Sequence, residues 1–261
     1  MEFYAEKTVL VTGASSGIGE AIARALGPAR GTLLLTARSE DRLAALAADL
    51  RAAGAHAHVF AHDLGAPGAA DTLADRIAAA GFRVDVLVNN AGYGTIGPFE
   101  AANEDDVAGV VRLNAEALTV LARRFAPSMG PGGGILNVAS TAAFQPLPYF
   151  AVYAATKAYV LSFSEALHAE LKPRGVHVTC LCPGPTKTAF GVRAGMAPAF
   201  FKGGQTSERV AAVGLRALAR NRRVAVSGAG NAVGAFFGRI APRGPLLAAM
   251  GPVFARMHRP S

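Results

Sequence analysis

The chain has 261 residues, of which 51% are hydrophobic and 17% are charged, and its formal net charge is +8. This composition provides a sizeable core and excludes wholesale disorder. The length suits one large α/β domain or two small ones.

The basic excess lies entirely in the last fifth of the chain. Residues 209–261 contain nine arginines and no lysine or acid, so they carry +9, whereas residues 1–208 hold 17 basic and 18 acidic residues, or −1. Such a local excess argues against general nucleic-acid binding. The start, MEFYAEKTVLVTG, lacks a secretory signal, and no apolar stretch reaches the roughly 18 residues of a spanning helix.

Cys180 and Cys182 are separated by one residue, a poor spacing for a disulfide. We therefore expect reduced thiols, no metal site and a cytoplasmic protein.

Apolar segments alternate with Ala/Leu-rich helical segments in chain order. The predicted strands are 8–12, 32–36, 56–61, 84–89, 134–139, 176–181 and 223–227. The predicted helices are 17–27, 40–53, 67–80, 103–127, 152–172 and 207–220. Most of the strands lack polar alternation, which is typical of strands buried on both faces. The order predicts one domain (1–261), an α/β doubly wound parallel sheet of about seven strands with helices on both faces.

The first strand leads into the glycine turn TGASSGIG, which precedes a helix. Glycine permits a tight turn and close approach of a phosphate, and the helix start offers free N–H groups to it. An ordinary glycine turn is the alternative, but the position after strand one favours a dinucleotide site. The predicted contacts in this turn are Gly13, Ser15, Ser16, Gly17, Ile18 and Gly19.

The ends of the next three strands supply further candidate contacts. Strand two ends in TARS, so Arg38 stands where NAD-binding proteins usually carry a carboxylate, which favours NADP(H) over NAD(H). The alternative for Arg38 is a solvated arginine at a helix start. After strand three, Asp63 beside Leu64 is either an adenine contact or a helix N-cap. After strand four, VNNAGYG predicts close ligand contacts at Asn90, Ala91 and Gly92.

Ser140 ends strand five, and Tyr153 and Lys157 follow at a helical spacing of four, which places them on one face. Together with TGASSGIG, NNAG, Asn114 in RLNAEAL and CPGPTKT at 182–188, this pattern resembles the short-chain dehydrogenase/reductase family, with a Rossmann-like fold, over about residues 7–190. Alone, Tyr153 and Lys157 would be interpreted as an amphipathic pair at a helix edge.

The resemblance implies roles for these residues. Tyr153 is the acid/base, and Lys157, aided by the positive nicotinamide of the oxidised cofactor, lowers the pKa of its phenol. Lys157 also holds the nicotinamide ribose. Ser140 orients the substrate oxygen, and Asn114 holds a water that links Lys157 to solvent. The turn after strand six lies over the nicotinamide through Pro183, Gly184 and either Thr186 or Thr188.

Aromatic residues near the catalytic strand ends suggest an apolar, acyl or steroid-like substrate, although they could equally close the core. The candidate substrate contacts are Tyr93, Phe144, Tyr149 and Phe190, with Leu147, Phe150, Phe200 and Phe201 nearby. The resemblance implies a mobile substrate lid at residues 189–208, a stretch rich in glycine. The basic apolar extension, 228–261, predicts amphipathic segments that contact an anionic membrane or an acidic acyl carrier protein, or else a lid or subunit contact.

These patterns favour an NADP(H)-dependent reductase that interconverts a ketone and a secondary alcohol. The alternatives are an NAD-dependent alcohol dehydrogenase and a non-catalytic nucleotide-sensing protein on the same fold. The resemblance also implies a homodimer or homotetramer, and from the charge and ligand patterns we expect no nucleic-acid partner and no metal.

Overall fold

Seven parallel strands form one sheet in the computed structural model, which describes residues 1–196 and 203–258. The strand order is β3-β2-β1-β4-β5-β6-β7. The strands are β1 (Thr8–Thr12), β2 (Thr32–Thr36), β3 (His56–Val59), β4 (Val86–Asn89), β5 (Gly134–Val138), β6 (His177–Cys182) and β7 (Val224–Val226). Each lies within the predicted span or one residue beyond it, and the doubly wound α/β fold is confirmed.

Helices cover both faces of this sheet. They are α1 (Gly17–Leu26), α2 (Glu40–Ala52), α3 (Ala69–Ala79), α4 (Glu104–Val111), α5 (Leu118–Phe125), α6 (Ala151–Leu171), α7 (Phe190–Arg193), α8 (Ser207–Ala219), α9 (Ala229–Ile240) and α10 (Arg243–His258). The predicted helix 103–127 is divided, because the π-helical segment Arg112–Ala117 joins α4 to α5. Within the described residues, none of the helices has the length and apolar character needed to cross a bilayer.

The alternation of side chains along each strand builds two cores. In β1, Val9 and Val11 pack toward α1, α2 and α8, whereas Leu10 packs toward α3, α5 and α6. Both sets are buried, which explains why the strands are apolar throughout. Cys180 and Cys182 are free thiols buried in a third cluster beneath α9.

The direction of the chain reverses across the sheet at β1, which pairs with both β2 and β4. Because all the strands are parallel, the loops that follow them emerge at one edge. In open α/β sheets, ligands bind outside the carboxyl ends of the strands at such a switch point. The fold therefore places the candidate residues together at this edge.

Candidate active site

One cleft of about 1190 Å³ follows the carboxyl ends of the strands. Of the predicted dinucleotide contacts, all except Gly19 line it, and so do the catalytic candidates Ser140, Tyr153 and Lys157. Drug-sized ligands occupy pockets of about 300–1,000 Å³, so this volume suits a dinucleotide together with part of a substrate.

The conformation of the glycine turn is fixed by its own glycines and by hydrogen bonds from Asn90. Gly13 and Gly17 adopt φ of 66° and 61°, in the left-handed region that favours glycine. The Asn90 amide donates to the Thr12 carbonyl (2.9 Å) and the Gly13 carbonyl (3.3 Å), which ties the loop after β4 to the turn. A Cβ on Gly19 would lie 2.3 Å from the Gly13 carbonyl oxygen, so Gly19 acts by close packing behind the turn.

The donors around this turn fit a pyrophosphate. The side chain of Ser16, the N-cap residue of α1, makes no capping hydrogen bond, so the first N–H groups of the helix are not capped by it. The cleft is lined by five cationic side chains against three carboxylates. The cations are Arg38, Arg42, Arg112, Lys157 and Arg193; the acids are Asp63, Asp105 and Asp106. This balance suits an anionic ligand.

Three arginines that the sequence analysis did not select line the cleft: Arg42, Arg112 and Arg193. Arg42 is exposed one helical turn after Arg38, so its spacing could have identified it. Arg193, at the end of α7, places Nη2 3.5 Å from the Ser16 hydroxyl oxygen. No local motif marks Arg193, because its approach to the glycine turn depends on how the chain folds after β6.

Asp63 is not the cap of the helix that follows it. Its Oδ1 accepts from Gly65 N (2.9 Å), and the N-cap of α3 is Gly68. The N-cap alternative is therefore wrong, and Asp63 and Leu64 both line the cleft.

Tyr153 lies at the centre of the catalytic candidates. Its side chain is hydrogen-bonded to that of Ser140, which begins a short 3₁₀ turn after β5. Its ring stacks on Phe150 (centroids 4.3 Å apart) and lies 5.4 Å from the Phe190 ring. The phenol therefore has an apolar enclosure and one hydroxyl neighbour.

Lys157 is fixed by the end of β5. Its ammonium donates to the Val138 carbonyl (2.9 Å), and Nζ lies 5.6 Å from the centre of the Tyr153 ring. A Cβ on Gly92 would be 3.4 Å from Nζ, so glycine keeps the space beside the ammonium open.

Asn114 is buried in the π-helical segment, and its side chain links two parts of the fold by hydrogen bonds. Its amide donates to the Tyr93 carbonyl (2.9 Å) and to the Thr156 hydroxyl (3.1 Å), and its Oδ1 accepts from Tyr93 N (3.1 Å). This joins the loop after β4 to α6, beside Lys157. π-helical turns often occur at functional sites.

Burial determines the proton affinities of the central pair. It raises the pKa of Tyr153 to about 12, although the hydrogen bond from Ser140 opposes this, and it lowers the pKa of Lys157 to about 8. The expected lowering of the phenol pKa is thus absent from the protein alone, because loss of solvation outweighs the opposing effect of Ser140. The phenol consequently stays protonated at neutral pH.

Thr186 and Thr188 occupy different parts of the turn after β6, and both line the cleft. The Thr186 hydroxyl donates to the Gly184 carbonyl (2.9 Å). The Thr188 hydroxyl accepts from Phe190 N (3.2 Å), and its methyl would lie 3.0 Å from a Cβ on Gly17. Thr188 therefore connects the glycine turn to α7.

The four candidate substrate residues do not lie together. Phe190 lines the cleft beside Tyr153, and Tyr93 lines it where its hydroxyl donates to the Asp106 carbonyl (3.3 Å). Neither Phe144 nor Tyr149 belongs to the described wall. Phe144 is buried beneath α9, with the Arg239 guanidinium 4.9 Å from its ring centre. Phe200 and Phe201 of the predicted lid lie outside the described residues.

The apolar end of the cleft includes residues that the sequence analysis missed. Helix α10 contributes Met250, Val253 and Phe254, and Phe254 packs in one buried cluster with Phe150 and Tyr153. No sequence motif in α10 predicts that this helix lines the cleft. Only its apolar content could have suggested a contact.

A family model described as short chain dehydrogenase matches residues 7–196. The chain belongs to the short-chain dehydrogenase family. It is 36% identical over 189 residues to a short chain dehydrogenase of Pseudocercospora fijiensis, an alignment that covers 71% of this chain and 61% of that protein. Other curated relatives are matched over only 32% of their length.

Two solved structures match nearly all of the chain. A short-chain dehydrogenase from Sphingobium yanoikuyae in complex with NADPH has a TM-score of 0.78 and 30% identity, covering 98% of this chain and 96% of the other. The bulky-bulky ketone specific alcohol dehydrogenase from Comamonas testosteroni has a TM-score of 0.75 and 27% identity, with the same coverage. Several structural neighbours of the chain bind NADP(H), while some bind NAD.

The lowered pKa of Lys157 predicts a pH-dependent stability. Between pH 8 and 10.5 the unfolded chain holds the proton and the folded protein does not, so this group makes the free energy of unfolding rise with pH. Denaturant titrations of wild type and Lys157→Met at pH 7.5 and 9.5 should therefore diverge by about 2 kcal/mol, in favour of wild type at the higher pH. The exposed lysine in Lys172→Met provides the matched control, and parallel profiles for wild type and Lys157→Met would contradict the assignment.

Proposed function

We propose that this protein is an NADP(H)-dependent reductase that interconverts a ketone and a secondary alcohol, with Tyr153 as the acid/base. The observation that carries the proposal is the meeting of Ser140, Tyr153 and Lys157 in the same cleft as the glycine turn. A catalytic acid must lie within reach of the substrate oxygen, and this cleft provides that space beside the Tyr153 hydroxyl.

The Tyr153 phenol is in the protonated form that carbonyl reduction requires. The phenol is protonated at neutral pH, so its hydroxyl holds the proton that a carbonyl oxygen accepts as it becomes an alcohol. Ser140, hydrogen-bonded to Tyr153, would donate to the same oxygen and hold the carbonyl in line. The NADPH nicotinamide, when bound, supplies the hydride for the carbonyl carbon.

Lys157 and Asn114 would support the proton donor. Lys157 lies beside the open space over Gly92, where it would hold the nicotinamide ribose, and its positive charge would stabilise the phenolate left after proton transfer. Asn114 keeps the loop after β4 and α6 in register, and we propose that it also holds the water through which Lys157 exchanges protons with solvent.

An apolar, bulky acyl or steroid-like ketone is the proposed substrate class. The cleft beyond Tyr153 is bounded by Phe150, Phe190, Met196 and Phe254. The structural relative from Comamonas testosteroni is specific for bulky-bulky ketones. A panel of ketones graded by size, including acyl thioesters, should show turnover with NADPH that rises from small to bulky apolar members. Absence of turnover across the panel would contradict the proposal.

Arg38 is proposed to grip the 2′-phosphate, because its exposed side chain lines the cleft after β2 and makes no ion pair with any described residue. Charge-assisted hydrogen bonds contribute about 1.5–3 kcal/mol, so Arg38→Ala should weaken NADPH binding about 10- to 100-fold. NADH binding should change little, since NADH lacks that phosphate. Fluorescence titration with both dinucleotides measures the effect, and Arg123→Ala, an exposed arginine on α5, is the control.

The same titration decides between the cofactor alternatives. If Arg38→Ala lost affinity for NADPH and NADH equally, or if the wild type bound NADH more tightly than NADPH, the result would favour the NAD-dependent alcohol dehydrogenase. Binding without turnover of any carbonyl would favour the nucleotide-sensing protein. We also propose that the chain is one domain with a lid at 189–208. We further propose that it forms a homodimer or homotetramer, and light scattering would measure the molar mass of that assembly.

A further inference from the structure

Helix α9 presents an apolar face to solvent. It packs on the fold through the small residues Ala235 and Gly238, which are buried. Its opposite side carries Val233, Phe236, Phe237 and Ile240, each between 56% and 61% exposed. We call these four residues the outer face. A surface helix normally turns such an i, i+3, i+4, i+7 stripe toward the core, so the outer face is the reverse of the usual arrangement.

Exposed apolar side chains are concentrated in this part of the molecule. Among the described residues, eleven large hydrophobic side chains are exposed, and six of them lie between Val233 and Val253. The other two, Leu247 and Val253, belong to α10, where Val253 also lines the cleft. The four residues on α9 share one face of the helix, and a contiguous apolar patch of this kind marks an interaction site, whereas scattered exposed residues need no explanation.

The chain segment that contains the outer face carries charge of one sign. The described residues from 209 onward include eight arginines and no acid. Two of them, Arg223 and Arg239, reach Glu165 on α6 at 3.1 and 3.7 Å. The other six are exposed and form no ion pair with any described residue: Arg209, Arg216, Arg220, Arg222, Arg243 and Arg256. The surface therefore combines apolar side chains with unneutralised positive charge.

We infer that the outer face and its neighbouring arginines dock the protein on an anionic lipid bilayer. An anionic bilayer offers phosphate and carboxylate groups for the arginines directly above hydrocarbon for the phenylalanines. A second copy of the chain is a poorer occupant, because a twofold contact would bring two acid-free segments of +9 together. The inference does not depend on the proposed reaction, since docking needs neither cofactor nor substrate.

The absence of tryptophan from the sequence permits a direct measurement. In Phe237→Trp the single indole should shift its emission to the blue on vesicles of phosphatidylcholine with 25% phosphatidylserine, and brominated lipid should quench it. Vesicles of phosphatidylcholine alone should give much weaker binding. The control is Phe99→Trp, because Phe99 is 64% exposed on a 3₁₀ turn outside α9 and α10. Its indole should not respond.

Substitutions separate the apolar and electrostatic contributions. In vesicle sedimentation of the full chain, Phe236→Ser with Phe237→Ser should lower partitioning at least tenfold, and Arg243→Ala about fivefold, since one basic residue near an anionic surface contributes about that factor. The controls are Phe99→Ser and Arg123→Ala. Raising the salt concentration to 0.5 M should weaken wild-type binding by screening.

Three outcomes would overturn the inference. The first is no sedimentation with anionic vesicles at low salt. The second is binding that the double serine variant leaves unchanged, because another surface would then be responsible. The third is self-association of wild type that the double serine variant abolishes without any vesicle binding, since the outer face would then be a contact between copies. Ketone reduction in solution is scored separately, so the failure of one proposal does not imply failure of the other.

Discussion

Tyr153→Phe should reduce turnover about a thousandfold or more while NADPH still binds. Removal of a positioned acid/base usually costs 10²- to 10⁴-fold in rate. The substitution leaves the aromatic ring, so stacking on Phe150 and contact with Phe190 are retained, and only the hydroxyl and its hydrogen bond to Ser140 are lost. The expected defect therefore lies in the chemical step rather than in the shape of the cleft.

Tyr159→Phe is the matched control for this variant. Tyr159 lies on the same helix, α6, but its side chain is exposed and its hydroxyl pairs with that of Thr119. Turnover of the control should equal that of wild type, and fluorescence titration should give similar NADPH affinity for all three proteins. Retention of more than a tenth of wild-type turnover by Tyr153→Phe would show that another group transfers the proton.

Much of the fold could be predicted because core positions are recognisable in the sequence as runs of apolar residues. Strands buried on both faces are apolar throughout, so β1 and β2 were predicted to the residue. The π-helical segment around Asn114 could not be predicted, since its wide turn depends on packing against α6 and the loop after β4. Helical periodicity alone predicts an unbroken helix there.

The site could be predicted at its polar positions and much less at its apolar end. Glycine turns and the Tyr153–Lys157 spacing are local patterns, and the parallel sheet brings them to one edge. The sequence does not reveal whether an aromatic side chain points into the cleft or into the core. Phe190 lines the cleft, whereas Phe144 packs in the core under α9. Phe254 reaches the cleft from more than a hundred residues further along the chain than Ser140, so only the tertiary structure reveals it.

Gly19→Ala should weaken NADPH binding about a hundredfold. An added Cβ would lie 2.3 Å from the Gly13 carbonyl oxygen and 2.5 Å from the Asn90 amide nitrogen. Backbone cannot swing aside as a flexible side chain does, so the glycine turn must move relative to α1. A displacement of about 1 Å in a positioned site can cost about 10²-fold. Overpacking should also lower the free energy of unfolding by about 1–3 kcal/mol.

Gly234→Ala provides the contrast for that prediction, because a Cβ at Gly234 in α9 would meet no atom within 4 Å among the described residues. Alanine is favoured over glycine inside a helix by about 1 kcal/mol, so this variant should be slightly stabilised and bind NADPH like wild type. Circular dichroism confirms that each variant is folded before titration. If folded Gly19→Ala bound NADPH within threefold of wild type, the turn between β1 and α1 would not be the phosphate cradle, and the dinucleotide would have to enter the cleft elsewhere.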